Sequence, residues 1–202
     1  MSHSIFRQSK PNQVRIIGGV WRRRLLRFPS VADLRPTPDR VRETLFNWLG
    51  QDLSELTTLD LFAGSGALSF EALSRGATLA VAVDASELVV ASLRANAVTL
   101  GTSGLDAHRA DAMAFLRRET RRFDLIFLDP PFRDEWLPRL WPSLPARLSP
   151  GGWLYVEQGQ ALRPPPGWET FRYQRAGQVH YYLLRWVAGR STAEENQRKQ
   201  SI

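Results

Sequence analysis

The residues whose types and order most clearly suggest a reaction are Asp129, Pro130, Pro131 and Phe132, which follow the largely apolar run 123–128. Two consecutive prolines stiffen the chain and remove two backbone N–H donors. The Asp129 carboxylate and the Pro130 carbonyl are then left as hydrogen-bond acceptors. Phe132 adds a ring on which a nucleobase can stack, a contact worth about 1–3 kcal/mol. We predict that these four residues form a catalytic site for a planar group that carries an amine.

An exocyclic base amine needs such a receptor because its lone pair is delocalised into the ring. Two acceptors hold the nitrogen and favour a more pyramidal geometry, with the lone pair directed at an incoming methyl group. Transfer from a sulfonium is an in-line displacement, for which positioning provides much of the rate. The turn at residues 129–132 therefore predicts methyl transfer to a base nitrogen.

A glycine-rich loop at residues 60–66, Asp-Leu-Phe-Ala-Gly-Ser-Gly, follows a predicted strand and opens a predicted helix. The loop is not a dinucleotide fingerprint, because Ser69 stands where the third glycine or alanine would be. It is not a P-loop either, because no Gly-Lys-Ser/Thr follows. A carboxylate at Asp60 would repel a pyrophosphate but suits a cationic ligand. The ammonium and sulfonium of S-adenosylmethionine meet that requirement.

Two further aspartates end the next two predicted strands. A carboxylate at Asp84 can accept hydrogen bonds from both hydroxyls of a ribose, which does not by itself separate S-adenosylmethionine from NAD. Asp111 stands where a carboxylate can accept from an adenine amine. Each aspartate alone is more often a helix cap than a ligand, but three at successive strand ends favour an adenosine-containing cofactor.

Short apolar runs alternate with helical patterns through the middle of the chain, which predicts an α/β fold with a mainly parallel sheet. Strands are predicted at 57–62, 78–83, 105–109, 123–128 and 152–157. Helices are predicted at 67–75, 87–100, 112–120 and 135–148. Segments 168–174 and 178–187 predict a final β-hairpin.

The first fifty residues predict a hairpin over 14–28, turning at Gly18-Gly19, and then a helix. Thr37 has the character of an N-cap, Pro38 of the first helical residue and Gly50 of the stop. We expect a disordered basic tail at 1–12, a hairpin-and-helix extension at 13–50, the main domain at 51–187 and a flexible tail at 188–202.

The net charge of +7 lies entirely in residues 1–50, which hold ten Lys/Arg and three Asp/Glu, whereas the remainder holds seventeen of each. This asymmetry favours a polyanionic partner. The candidate RNA contacts are Arg15, Trp21, Arg22, Arg23, Arg24 and Arg35.

The absence of cysteine excludes disulfides, thiolate zinc sites and a cysteine nucleophile. The three histidines lie far apart, so we expect no metal site. No signal-peptide core or apolar run of about 20 residues is present, which predicts a cytoplasmic protein without a membrane span. No long amphipathic seam indicates a dimer, and we expect a monomer.

Several segments resemble the RsmD family of bacterial 16S rRNA guanine-N2 methyltransferases. The similar segments are 15–22, 34–49, 59–68, 71–77, 127–132 and 176–179, of which 34–49 is the most specific. The resemblance implies a Rossmann-like class I methyltransferase fold that uses S-adenosylmethionine, with seven strands of which the last is antiparallel. It also implies that the substrate is a guanine in the small ribosomal subunit or its assembly intermediate.

The resemblance also assigns roles to individual residues. Asp60, Phe62, Gly64 and Gly66 would bind the methionine end and sulfonium region of the cofactor, Asp84 its ribose, and Asp111 with Ala112 its adenine. Thr37, Arg40 and Glu43 would border the cofactor from the N-terminal helix, and residues 129–132 would hold the guanine.

Two alternatives remain open from the sequence. The Asp-Pro-Pro-aromatic motif also occurs in DNA adenine-N6 methyltransferases, although no region remains for a separate DNA-recognition domain. A nucleic-acid-binding module with a vestigial cofactor site would be a different class of protein, against which the intact aspartates and glycines count.

Overall fold

The central element of the computed structural model, which describes residues 12–31, 36–132 and 134–187, is a seven-stranded sheet. Its strands are β3 (Thr57–Asp60), β4 (Leu79–Asp84), β5 (Leu105–Arg109), β6 (Phe123–Leu128), β7 (Leu148–Gln158), β8 (Trp168–Ala176) and β9 (Val179–Trp186). They lie in the order β5-β4-β3-β6-β7-β9-β8. The first five are parallel, whereas β9 is antiparallel to both β7 and β8. The predicted architecture, with an antiparallel last strand, is confirmed.

Helices cover both faces of the sheet, as parallel strands require. They are α1 (Asp39–Leu49), α2 (Ala67–Ser74), α3 (Glu87–Leu100), α4 (Ala112–Arg118) and α5 (Trp136–Leu140). The first three pack their apolar side chains on one face, and α4 and α5 pack on the other. None of the helices in the described part of the chain is both long and apolar enough to cross a membrane.

A separate antiparallel hairpin precedes the sheet and packs against the helices of the first face. Strand β1 (Asn12–Arg15) pairs with β2 (Leu25–Phe28), and Val14, Leu26 and Phe28 join the main core. The predicted hairpin is therefore confirmed, but its connection is a loop of residues 16–24 rather than a turn at Gly18-Gly19 alone. The main-chain bonds from Ile16 N to Arg24 O and from Arg23 N to Ile16 O close this loop.

Two predictions about helices were wrong. Helix α1 begins at Asp39 with Pro38 at the N-cap position and no side-chain cap, so Thr37 lies one residue before the N-cap and does not cap the helix, and Pro38 is not its first helical residue. The segment 135–148 is helical only over α5 and a short 3₁₀ turn at Pro145–Arg147, because Pro138, Pro142 and Pro145 remove the N–H donors that a continuous helix needs. The predicted terminal tails lie largely outside the described residues.

Candidate active site

The carboxyl ends of the parallel strands bring four acidic side chains to one edge of the sheet. Asp60 ends β3, Asp84 ends β4, Asp129 directly follows β6 and Glu157 stands at the second-last position of β7. The strand order places β3, β6 and β7 side by side, so Asp60, Asp129 and Glu157 are neighbours. In open α/β sheets this edge is where ligands bind.

Asp60 is a buried carboxylate whose hydrogen-bonding capacity is only partly used. It is 2% exposed, and its Oδ2 accepts a hydrogen bond of 2.8 Å from Ser69 Oγ. Its Oδ1 is buried without a hydrogen-bond partner among the described residues. Burial, opposed by the Ser69 bond, raises the pKa of Asp60 to about 7. A cationic ligand would donate a hydrogen bond to Oδ1, and its positive charge would stabilise the ionised form of Asp60.

The aspartates at the next two strand ends have structural partners in the protein. Asp84 Oδ2 accepts from Gly64 N at 3.1 Å and its Oδ1 accepts from Ser86 N at 2.8 Å, which ties the glycine loop to the start of α3. Asp111 caps α4 by accepting from Ala114 N at 2.9 Å. Both carboxylates can accept further hydrogen bonds, since each oxygen has two lone pairs.

The glycine loop needs its second glycine for space as well as for backbone conformation. Gly66 has φ +76°, and a Cβ atom there would lie 2.5 Å from Leu93 and 2.9 Å from Phe70. Phe62 packs edge-on against Trp136 with ring centroids 5.1 Å apart, which anchors the loop to α5. Ala112 is buried beneath Asp111 at the start of α4. These contacts make the loop rigid before any ligand arrives.

Asp129 belongs to a hydrogen-bonded group of side chains from three different elements. Its Oδ2 accepts from the Thr37 hydroxyl at 3.3 Å, and the same hydroxyl lies within hydrogen-bonding range of Glu157. Tyr155 donates its hydroxyl to Glu157 Oε1 at 2.8 Å. Glu157 is 2% exposed, and Asp129 is half-buried at the surface of the group.

Two carboxyl groups this close to each other change one another's proton affinity. Burial and the nearby Glu157 raise the pKa of Asp129 well above its ordinary value. Burial likewise raises the pKa of Glu157 to about 7. At neutral pH, the pair therefore holds protons that ordinary surface carboxylates would have lost.

The turn after Asp129 presents its aromatic ring to solvent. Pro130 is buried and Pro131 is exposed, while Phe132 is 49% exposed despite its size. A Cβ atom at Gly159, just beyond β7, would lie 3.1 Å from the Phe132 ring. Glycine at that position therefore lets the ring lie close over the chain while its other face stays accessible to a base.

The residues assigned to the cofactor from the N-terminal helix separate in the structure. Thr37 is buried and contacts Asp129, as described above. Arg40 and Glu43 are exposed, and Glu43 lines a hollow of about 430 Å³ with Arg22 and Arg75 on the hairpin side of α1. Their part in cofactor binding stays a prediction.

Helix α2 holds the hairpin loop in place through two side chains. Glu71, fully buried, accepts from Ile17 N at 2.9 Å and from Gly18 N at 2.7 Å. Ser74 Oγ accepts from Trp21 N at 2.9 Å and donates to Gly18 O at 2.6 Å. A Cβ atom at Gly19 would lie 1.8 Å from Ser74 O, so this glycine is required for the close approach of the loop to the helix.

A buried arginine links the same region to the segment that contacts Asp129. Arg42 of α1 is fully buried and pairs with Glu71 at 3.2 Å and with Asp39 at 2.6 Å. Its Nε donates to Thr37 O at 3.1 Å, and its Nη2 donates to Arg15 O at 2.8 Å. The backbone that carries the Thr37 hydroxyl is thereby fixed relative to both the hairpin and α2.

The candidate RNA contacts occupy different environments. Arg22 and Arg23 are exposed in the hairpin loop, and Arg23 has φ +71°. Arg24 donates to Thr99 O at 3.3 Å, and Arg15 pairs with Asp39 at 2.8 Å. Trp21 is partly buried against the core. Arg35 lies outside the described residues.

Sequence reasoning missed three residues of this site. Glu157 reads as the polar end of a strand, Ser69 as an ordinary helical serine and Gly159 as a loop glycine. Each becomes significant only through a neighbour distant in sequence, namely Asp129, Asp60 and Phe132. The one available signal was the sequence Val-Glu-Gln at the carboxyl end of β7. An acidic residue there matches Asp84 at the end of β4 and Asp129 directly after β6.

The sheet order, the antiparallel final strand and the acidic carboxyl edge are those of a class I methyltransferase fold. A family model described as "Conserved hypothetical protein 95" matches residues 14–185, and the chain belongs to this family, the RsmD family.

Curated relatives and solved structures agree with this assignment. Ribosomal RNA small subunit methyltransferase D of Escherichia coli K12 is 40% identical over 200 residues, which cover 92% of this chain and 99% of that protein. The Haemophilus influenzae protein of the same name is 38% identical over 179 residues, covering 85% of this chain and 93% of the relative. A putative methyltransferase structure from E. coli superposes with a TM-score of 0.79 at 40% identity, covering 88% of this chain and all of that chain.

Proposed function

We propose that the protein transfers a methyl group from S-adenosylmethionine to the exocyclic N2 of a guanine in 16S rRNA, in the small ribosomal subunit or its assembly intermediate. The observation that carries this proposal is the juxtaposition of Asp129, with the exposed Phe132 ring, and the buried, partly unpaired Asp60 at the same sheet edge. Asp129 is suited to hold the amine of a base, and Asp60 is suited to bind a cationic group of the cofactor.

The residues present fit S-adenosylmethionine. The unpaired Asp60 Oδ1 suits the ammonium of the methionine end, because a buried carboxylate gains most from a charged donor. Asp84 would hold the ribose, and Asp111 with Ala112 the adenine. When bound, the cofactor supplies an electrophilic methyl group on a sulfonium.

The protein's part in the reaction is to hold the amine and to receive a proton. Asp129 and the Pro130 carbonyl accept the two N–H bonds, and Phe132 stacks on the base, which orients the nitrogen lone pair. As the nitrogen forms its bond to the methyl carbon it gains positive charge. Asp129, as the acceptor of one N–H of that nitrogen, would take the proton that the nitrogen loses when its carboxyl group is ionised.

The choice of ribosomal RNA rests on the hairpin and on the relatives. Arg22 and Arg23 are exposed on a loop anchored to α2, which suits contact with phosphates at a fixed distance from the catalytic turn. The relatives from E. coli and H. influenzae are named for methylation of small-subunit ribosomal RNA.

The test is transfer of an isotope-labelled methyl group to three substrates: unmethylated small subunits, deproteinised 16S rRNA and duplex DNA. Nucleoside analysis of the product should give labelled N2-methylguanosine from a ribosomal substrate and none from DNA. Labelled N6-methyladenosine, or label in DNA, would overturn the assignment.

A further inference from the structure

The exposed face of the C-terminal hairpin carries an aromatic cluster beside the catalytic edge. Tyr173 on β8 is 49% exposed, and its ring stacks on Tyr182 of β9 with centroids 4.7 Å apart. It also stacks with His180 at 5.9 Å and 17°, and its hydroxyl is hydrogen-bonded to His180 Nδ1 at 2.8 Å. Two stacking contacts and a hydrogen bond hold this exposed ring in one orientation.

A positive charge stands next to the ring. Arg175 lies two residues further along β8, so its side chain leaves the same face as Tyr173, and it is paired in register with His180. Its Nε donates to Gly177 O in the hairpin turn at 2.7 Å, and the rest of the guanidinium is exposed. We call Tyr173, Arg175 and His180 the hairpin platform.

The sheet register places the platform close to the candidate site for the target base. His180 pairs with Gln158 at the carboxyl end of β7, and Gly159, the next residue, lies against the Phe132 ring. The step from β7 through β9 to β8 is two strand spacings, about 10 Å. The segment after Gly159 is held to the same face, because Leu162 N donates to the Tyr182 hydroxyl at 2.9 Å.

We propose that the hairpin platform binds the single-stranded RNA that flanks the target nucleotide, with a base on Tyr173 and a phosphate at Arg175. On this face the positive charge is that of Arg175, which complements a phosphate, whereas Arg172 and Arg185 pack on Phe171 and Trp153 on the other face. An exposed aromatic ring beside a guanidinium is a typical surface for an unpaired base and its phosphate. Because the ring is already fixed, binding costs little further side-chain ordering.

This proposal rests on the proposed function, since it extends the RNA surface from the N-terminal hairpin to the opposite side of Phe132. A target base that leaves its helix to reach the catalytic turn also exposes its neighbours. The platform offers one such neighbour a stacking partner, and it therefore helps to select a target in an unpaired segment.

The same hairpin supplies a matched control on its other face. Phe171 packs on Trp153 with centroids 4.7 Å apart, and the guanidinium of Arg172 lies 4.2 Å from the Phe171 ring centroid. This pair also combines an exposed ring with an arginine. It differs from the platform in its distance from the carboxyl end of the sheet, because Trp153 lies in the middle of β7, five residues before Gln158, with which His180 of the platform pairs.

The experiment compares Tyr173→Ala, Tyr173→Phe, Arg175→Ala and the control Phe171→Ala/Arg172→Ala. Affinities for unmethylated small subunits and for deproteinised 16S rRNA are measured by filter binding across a range of salt concentrations. Single-turnover methylation and binding of S-adenosylmethionine are measured in parallel. We expect about 10-fold weaker RNA binding for Tyr173→Ala, from the loss of one stacked base. Arg175→Ala should lower the salt slope by about 1.

Tyr173→Phe keeps the ring and should bind like the wild type, as should the control, and all variants should bind the cofactor normally. If Tyr173→Ala and Arg175→Ala both keep the affinity and salt slope of the wild type, and the wild type methylates rRNA, the proposal for the hairpin platform is refuted and the proposed function is not. Weakened binding to subunits with unchanged binding to deproteinised rRNA would also refute it, because the partner would then be a ribosomal protein. A wild-type protein that methylates none of the substrates would instead refute the proposed function.

Discussion

At the scale of single residues, the proposed chemistry assigns different tasks to two carboxylates. Asp129 faces the solvent edge beside an exposed ring, whereas Asp60 is buried with one oxygen unpaired. A variant that separates the two tasks tests the assignment of both.

Asp129→Ala should retain S-adenosylmethionine binding and lose methyl transfer, because the amine then loses its carboxylate acceptor. We expect a fall in the single-turnover rate of at least about 100-fold, the usual effect of removing a proton acceptor. Binding is measured by calorimetry and transfer by labelled methyl incorporation. Full activity in this variant would show that the turn does not hold the amine.

The pH dependence of transfer should report the buried pair. Asp129 must be ionised to accept the proton, and Glu157 raises its pKa, so the rate should rise with pH on the acid side. Glu157→Gln removes the like charge and should move this acid limb to lower pH. Tyr181→Phe is the control, since the Tyr181 hydroxyl is buried without a hydrogen-bond partner among the described residues. An acid limb that stays at the wild-type pH in Glu157→Gln would disprove the coupling.

At the scale of elements, the N-terminal hairpin is an arm fixed to α2. Arg22 and Arg23 are exposed in its loop, while the exposed Arg24 also donates to Thr99 O near the end of α3. Replacing Arg22 and Arg23 by Gln should weaken binding to small subunits and reduce the slope of affinity against salt by about 1 per phosphate contact. The measurement is a salt titration by filter binding. A slope equal to that of the wild type would mean that both arginines are only solvated.

The anchoring of the arm can be tested without touching its charges. Ser74→Ala removes the acceptor of Trp21 N and the donor to Gly18 O, at a cost of about 1–3 kcal/mol for the groups left unpaired. Hydrogen exchange of residues 16–24 should quicken, and rRNA affinity should fall while cofactor affinity is kept. Thr44→Ala is the control, because the Thr44 hydroxyl bonds within its own helix. Unchanged exchange in the loop would contradict the anchoring role.

At the scale of the whole molecule, stability should decrease toward neutral pH. Burial raises the pKa of Asp60 from its ordinary value of 3.8 to about 7 in the folded protein, so the folded state binds this proton more tightly than the unfolded state. The contribution of protonated Asp60 to the free energy of unfolding is therefore fully present below about pH 4 and is lost as the pH rises to about 7. Glu119, whose pKa is lowered to about 2, acts in the opposite sense only below about pH 4.5.

Asp60→Asn should remove the part of this pH dependence that comes from Asp60, whereas the raised pKa values of Asp129 and Glu157 act in the same direction and remain. The variant should unfold with a free energy close to the wild type's at about pH 4 and higher by up to about 4 kcal/mol at pH 8. It should also lose cofactor binding. Urea denaturation at the two pH values measures the difference. Parallel pH profiles for the two proteins would show that Asp60 ionises normally in the fold.

Much of the fold followed from local pattern. Helix α3 and strands β5 and β6 have the predicted bounds. Ser86 and Gly101 are strong local signals for the ends of α3, and the largely apolar run of β6 is one for a buried strand. The turn at 129–132 and the acids at the ends of β3 and β4 were also identified. Thr37 was interpreted as a cap because of the proline after it, whereas a buried contact with Asp129 determines its position. Glu157 could not be found, since only the pairing of β6 with β7 gives it a role.

The anchoring of the hairpin loop by Glu71 and Ser74 has a consequence for the design of hybrid enzymes. The arm carries the arginines, but the carboxylate and hydroxyl that hold its loop belong to a helix more than forty residues further along the chain. An arm grafted alone onto another methyltransferase would arrive without its support. A transplant meant to change the RNA target of such an enzyme must therefore move residues 12–28 together with the face of α2 that contacts them.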